Sequence, residues 1–283
     1  MFRGSDFDRL AQQRIFAERD WIDAQPGLVA QGRAVCLFDA ERTSLRFLDE
    51  LLERFCRVWV FIDSAAAPEW MNEIAGAGHH VYPYTVFTGR QLLDQCRSLM
   101  AAAPPLPGLS VVHLTDGSNP DLLDRVQEFY QGAHLLPQPD YFVAGNDGTV
   151  ITTIMLDAQG AVIGATMFHH LARVGPEYAL TGHAASSVIS PPRTAGALRS
   201  AGDTRRASLA AWLNAHAVVR SREQFDTREI WSHPRSTNRR SIAFHRELGA
   251  IEKPGVSCFC AEHRTAPSDV RHGIVAPLAA AAD

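Results

Sequence analysis

Proton transfer near neutral pH suits an imidazole, whose unperturbed pKa is about 6.5. Four histidines in the second half of this chain stand out as candidates. His169 and His170 end the run TVITTIMLDAQGAVIGATMFHH, His183 lies inside YALTGHAASSVIS, and His245 lies inside NRRSIAFHRELGA. Adjacent strand residues point to opposite faces, so only one of His169 and His170 can face a given cleft. A buried, hydrogen-bonded imidazole is the commoner fate of any one of them. His245, between Phe244 and Arg246, reads equally as an exposed helix residue. Glu177, ahead of the His183 segment, is a further candidate base.

Other chemistries lack their residues. There is no H-E-x-x-H, C-x-x-C or G-x-S-x-G, and no glycine-rich dinucleotide or nucleoside triphosphate loop, so no metal, serine-hydrolase, dinucleotide or triphosphate site is signalled. The five cysteines, Cys36, Cys56, Cys96, Cys258 and Cys260, have no disulfide-scaffold spacing and read as buried free thiols. The C-F-C pair reads as alternating residues of a strand. Asp39 and Asp63 end apolar runs where ligands of parallel sheets bind, but a helix N-cap is the commoner role for an isolated aspartate.

The composition is that of a globular protein of 283 residues, 46% hydrophobic and 20% charged, with formal charge −4. A mildly acidic chain offers no broad attraction to nucleic acid, so a small-molecule partner is expected. No apolar run approaches the roughly 20 residues of a membrane span, and MFRGSDFDRL is too polar for a secretory signal, so a cytoplasmic location is expected.

The elements that must carry these residues divide at AAAPPLPG, residues 101–108, the densest proline segment. Before it, RAVCLFDA, RVWVFID and HVYPYTVF alternate with helical patterns, which predicts a small parallel α/β domain over 1–108. Over 109–283 the order reads β, α, β, β, β, α, β, α, β, an α+β arrangement. The hairpin turns at DAQG, and Leu209, Trp212, Leu213 and His216 share one helical face. No internal repeat is evident, and the halves are expected to fold separately. The tail APLAAAAD reads as disordered.

That order, with NRRSIAFHRELGA, resembles the GNAT superfamily of N-acetyltransferases over about residues 109–263. The helix segment is similar to the family's N-x-x-[AS]-x-x-[LF]-[Y]-x-x-x-G-[FA] through Asn238, Ser241, Phe244, Gly249 and Ala250. The resemblance implies a mixed sheet flanked by helices, acetyl-CoA as co-substrate, no metal, and a CoA arm lodged where the fourth and fifth strands splay apart. It further implies a pyrophosphate loop before the long central helix. Two registers compete: Arg193-Thr-Ala-Gly196-Ala-Leu198, and Arg199-Ser-Ala-Gly202-Asp-Thr204 with Arg205 and Arg206 following. The later is preferred, because the earlier would leave Gly202 in mid-helix at a cost of about 1 kcal/mol. Leu198 or Thr204 departs from the family's small final residue, and Asp203 sets a negative charge near phosphates.

In such enzymes, backbone N–H groups at a bulge of the fourth strand polarise the thioester carbonyl. A base takes the amine's proton, and a tyrosine on the helix after the asparagine returns one to the thiolate. Here His245 stands in that tyrosine's place and is the expected acid; His183, beside the expected carbonyl position, is the expected base. The implied function is acetyl transfer to a small amine such as an amino acid or biosynthetic intermediate. Two alternatives are a degenerate CoA- or metabolite-binding assembly module, and a transferase drawing its acyl group from a carrier protein docked on the first domain. A homo-oligomer is compatible with either.

Overall fold

The computed structural model describes residues 1–38, 40, 43–89, 92–101, 107–114, 120–132, 138–146, 148–170, 180–189, 202–225 and 229–267, with 180–189 and 202–208 described by their backbone. Asp39, Glu177, most of the proline segment and the tail lie outside these residues.

The first half opens with α1 (Asp6–Ala17), started by a capping box in which Ser5 and Asp8 satisfy each other's backbone N–H groups. After α2 (Arg19–Ala24), β1 (Leu28–Gln31) and β2 (Ala34–Leu37) form an antiparallel hairpin. Its turn requires Gly32, where φ is +58° and an added Cβ would come within 2.6 Å of Gln138 Oε1. There follow α3 (Leu45–Phe55), β3 (Arg57–Asp63), α4 (Ala67–Gly76), β4 (His80–Tyr84), β5 (Phe87–Gly89) and α5 (Leu92–Ala101). Asp63 accepts a hydrogen bond from Ala65 N at 2.7 Å, serving the turn ahead of α4 rather than the helix cap itself.

The second half runs β6 (Ser110–Leu114), α6 (Pro120–Gly132), α7 (Asp140–Val143), β7 (Val150–Leu156), β8 (Val162–His170), β9 (Leu180–Ile189), the long α8 (Gly202–Phe225), β10 (Glu229–Ser232), α9 (Arg239–Glu247), β11 (Ile251–Glu252) and β12 (Val256–Glu262). The expected order is present through α9. The hairpin of β7 and β8 turns at Asp157–Gly160, where the Asp157 carboxylate accepts from Gln159 N and Ala161 N.

Sheet membership cuts across the proline segment. One sheet has the order β1-β2-β3-β12-β4 and the other β11-β5-β10-β9-β8-β7-β6. Each sheet therefore borrows a strand from the other half. Residues 80–88 and 251–262 form one antiparallel ribbon: His80 faces Glu262, Tyr84 faces Cys258, Phe87 faces Glu252 and Thr88 faces Ile251. Lys253 N donates to Val86 O at 2.8 Å, so the ribbon is stitched even where it passes between sheets.

Two expectations change. The first half is not a purely parallel unit, since β2 and β3 are parallel but β1 and β12 run antiparallel. And although no repeat is visible in the residues, the wiring is repeated. In each sheet an antiparallel pair (β1–β2, β8–β9) leads through a crossover helix (α3, α8) to a parallel neighbour (β3, β10). Beyond it lie an antiparallel strand from the other half (β12, β5) and an antiparallel edge strand (β4, β11).

Alternation explains the cores. On β12, Phe259 joins the cluster under α3 and α4, while Cys258 and Cys260 join the opposite cluster with Trp59, Phe61 and Trp231. The C-F-C pair is thus strand alternation, and all five cysteines are buried and free. In the second sheet, α6 and α7 cover one face through Val126, Tyr130 and Phe142, while α5 and α8 cover the other. Leu209, Trp212 and Leu213 pack as one face on Met155 and Ile163. Among the described residues no helix is long and apolar enough to cross a membrane.

The exchange is locked by charge. Arg57 on β3 is fully buried, its Nε 2.5 Å from Glu262 on β12 and a terminal nitrogen 3.0 Å from Asp8 on α1. Burial opposes that charge, but the two carboxylates outweigh it and raise the pKa of Arg57. Replacing Glu262 by Ala leaves the buried Arg57 with Asp8 as its one carboxylate partner among these and its Nε without an acceptor, and the expected loss is about 3 kcal/mol in urea unfolding. Because β5 and α5 complete the second sheet's core, a fragment starting at Gly108 is expected to lose cooperative unfolding, checked by near-UV circular dichroism against urea.

Candidate active site

The site begins where β10 leaves β9. The two strands pair in parallel at Glu229↔Leu180, Ile230↔Thr181 and Trp231↔Gly182 only. From His183 to Ile189, β9 keeps β8 on one side and has no paired strand on the other among the described residues. This fork is the splay that the resemblance implies. At the same level β9 holds two register shifts against β8, one between Ala165 and Met167 and one between Met167 and Phe168. A bulged residue leaves the ladder, so its backbone N–H can serve another acceptor. His183 sits at this fork, opposite Phe168 and next to the last residue paired with β10.

The central helix α8 begins at Gly202, the position that the later loop register needs, and Thr204 and Arg205 fall in its first turn. A helix start leaves backbone N–H groups free for an anion. Arg193, Gly196 and Arg199 lie outside the described residues.

His169 and His170 divide between the faces, as alternation demands. The His169 ring meets Phe142 of α7, 5.1 Å between centroids, and His170 stacks on Phe225 of α8 at 4.7 Å. Neither lines the cavity at the fork.

The helix α9 is built by its ends. Asn238 is the N-cap, its side-chain oxygen accepting from Ser241 N at 3.1 Å. At the other end Ala250 N donates to His245 O and Gly249 N to Arg246 O, a Schellman closure with Gly249 at φ +81°. A Cβ at Gly249 would lie 2.7 Å from Gln95 Oε1 of α5. Asn238 and the Leu-Gly stop are therefore explained by helix capping and a close approach to α5, and Ser241 contributes backbone at both of its contacts.

His245 faces inward. Its Nδ1 lies 2.6 Å from Ser241 O. A carbonyl only accepts, so Nδ1 carries the proton and Nε2 is the basic nitrogen of the neutral ring. Burial lowers its pKa, and the Ser241 hydrogen bond offsets this in part. The ring stacks on Phe87 of β5. It borders a cavity of about 40 Å³ whose walls include Phe87, Phe168, Val218, Ile230, Ser232 and Phe244. Phe168, a wall of this cavity, is the register partner of His183, whose side chain lies outside the described atoms. His245, the expected acid, thus has Nε2 as the nitrogen without a proton in its neutral form.

Several contributors carry no sequence signal, because they come from the other half (Phe87, Thr88), from a strand interior (Phe168) or from the middle of α8 (Asn214). Thr88 donates to Glu229 at the root of β10, and Lys253 Nζ lies 3.1 Å from the same carboxylate. Burial works against the Glu229 charge, but these donors outweigh it and hold its carboxyl below the usual range. Beyond β10, His233 packs edge-on against Trp59 and Phe61, and burial lowers its pKa to about 3. Among the described residues no group of three or more His, Cys, Asp or Glu could hold a metal ion.

No family model matches the chain, and no curated protein matches it. Solved structures resemble it loosely. A tandem GNAT protein from the clavulanic acid biosynthesis pathway is 17% identical over 80% of this chain and 68% of its own, with TM-score 0.47. A GCN5-related N-acetyltransferase from Kribbella flavida is 9% identical over 90% and 95%, TM-score 0.49. A putative GNAT acetyltransferase from Novosphingobium aromaticivorans is 14% identical over 92% and 99%, TM-score 0.47.

Two outcomes follow from the geometry. Asn238→Ala should cost about 1 kcal/mol through the lost cap, read by thermal unfolding. Burial also lowers His113 on β6 to about 4, with Arg220 and His216 adding their charge. His113 and His233 thus bind protons less readily folded than unfolded, where the pKa is about 6.5. Their contribution is complete above pH ~6.5 and is lost as pH falls toward ~4, by up to about 1.4 kcal/mol per pH unit per histidine. Urea midpoints across pH 7 to 4 should fall accordingly.

Proposed function

We propose that the chain is an acyl-CoA-dependent N-acyltransferase acting on a small-molecule amine, with acetyl-CoA as donor. The observation that carries this reading is the parting of β9 and β10 after Gly182↔Trp231, with bulges in β9 at the fork and His245 beside it. The residues present fit a thioester. Bulged backbone N–H groups suit the developing oxyanion, and the start of α8 at Gly202, with Thr204 and Arg205 behind it, suits a pyrophosphate. Arg193, Gly196 and Arg199 are the earlier-register alternative for the same role.

His245 Nε2 takes a proton from the ammonium form of the acceptor, and the neutral amine attacks the thioester carbonyl carbon. The β9 backbone at His183 holds the resulting oxyanion. As the C–S bond breaks, the thiolate takes the second proton lost by the amine nitrogen, directly through water or by way of His245, and the one proton left on the His245 imidazolium passes to solvent, which restores the neutral ring. Every proton is accounted for and no metal is needed. The mild negative charge favours a small amine over nucleic acid as acceptor.

Thiol release from acetyl-CoA on adding an amine panel tests the reading, with mass spectrometry of the denatured protein checking for co-purified CoA. Turnover is expected to rise with pH through the depressed pKa of His245 and to level off above it, since the neutral ring is the active form. His245→Ala should lower turnover by about 10²- to 10⁴-fold with donor affinity kept. Thioester binding without thiol release for any amine would favour the binding-module alternative.

A further inference from the structure

An imidazole on a helix can turn about two side-chain bonds, so a histidine base needs more than one contact to hold its lone pair in place. In His245 the first contact is the 2.6 Å bond from Nδ1 to Ser241 O, made within its own helix. The second comes from far away in sequence. The Phe87 ring is 5.3 Å from the His245 ring, centroid to centroid, and tilted by only 21°. Phe87 is the first residue of the borrowed strand β5, is buried, and pairs with Ser232 at the end of β10.

The same stretch also holds the connection that launches α9. Thr85 N donates to Pro234 O at 2.9 Å, Ser236 N donates to Pro83 O at 3.1 Å, and the Arg235 guanidinium lies 4.7 Å from the Tyr82 ring. One segment of the first half, residues 82–87, thus fixes both where α9 starts and how the ring inside it is turned.

We infer that Phe87, delivered by strand exchange, is a positioning residue for His245, and that the first half serves as the mould of the helix carrying the base. This rests on the reading of His245 as the base proposed above. Stacking on the ring face blocks rotation about the last side-chain bond, while Ser241 O selects the Nδ1–H tautomer. The polar groups beside His245 in the cavity, Thr88, Asn214 and Ser232, are uncharged. His233 is the ionisable ring nearest in effect, its own pKa lowered in part by His245. Burial and the Ser241 hydrogen bond act on the proton affinity of the ring, and Phe87 acts on its orientation.

The test is nitrogen-detected NMR of His245 across pH in the full chain, wild type against Phe87→Leu and Phe87→Tyr, with pH–turnover profiles of the same proteins. Wild type should show an Nδ1–H tautomer with Nε2 unprotonated at neutral pH, and an Nε2–H tautomer there would overturn the inference whether or not any variant folds. In Phe87→Leu the stack is lost and water gains access. The tautomers should then mix, the His245 pKa should rise toward 6.5, and the acid limb of turnover should move with it. The rate should fall about ten- to a hundredfold with KM for the thioester nearly unchanged. Phe87→Tyr, which keeps an aromatic face, should behave as wild type. If turnover is present but the His245 spectrum ignores residue 87, positioning is wrong while acyl transfer stands. If the spectrum responds as expected but no amine is acylated, positioning stands and acyl transfer is wrong.

Discussion

The antiparallel ribbon of residues 80–88 and 251–262 is the constraint on which the molecule depends. Its lower part lies between β3 and the solvent edge of one sheet, and its upper part lies beside β10 in the other. A strand inside a sheet satisfies backbone groups on both sides, so withdrawing β12 would orphan the facing edges of β3 and β4 together. The buried ion group of Asp8, Arg57 and Glu262 sits at the end of this ribbon and makes withdrawal dearer still, because neither charge can be left alone without water. Cohesion between the halves is therefore hydrogen bonding within sheets, not the docking of two finished surfaces.

The ribbon sets the candidate site as well. The sheet beyond β10 is continued by β5, which brings Phe87 and Thr88 against β10 and α9. With the β10 root held by Thr88 and Lys253, and the connection to α9 pinned by Thr85 and Pro83, the fork between β9 and β10 opens from a fixed hinge line. The bulges in β9 then present backbone donors at a defined depth. Burial lowers the pKa of the His245 imidazole in this arrangement, and the Ser241 hydrogen bond offsets the shift in part.

What could be read from the residues follows the range of the interactions. Local signals were legible: the helix at NRRSIAFHRELGA, the turn at Asp157–Gly160, the face of Leu209, Trp212 and Leu213, and the alternation of Cys258, Phe259 and Cys260. The order of elements through α9 followed from these, and so did the placing of Gly202 at the head of α8. Strand exchange was illegible because pairing partners carry no local mark. His80 and Glu262 face each other across a span that no periodicity encodes, and HVYPYTVF reads as one strand although its ends lie in different sheets. The proline segment signals a break in secondary structure, which is a different thing from a boundary between cores. The surroundings of His245 were not legible: its contact with the Ser241 carbonyl is local, but its burial and its stacking on Phe87 depend on a strand from the other half.

The exchange also dictates an order of events at the ribosome. A chain is made from its N-terminus, and β12 is inserted in the interior of a sheet whose other strands end with Tyr84. That first sheet must wait, with β3 and β4 unjoined, until Val256 to Glu262 have been synthesised, while the second sheet lacks nothing once β10 and β11 have emerged. The later half can thus complete its sheet on a nascent strand of the earlier one, and the earlier half closes last. Until then the exposed edges of β3 and β4 are open to pairing with any other strand, so high translation density on one message would favour exchange between neighbouring chains in place of exchange within one.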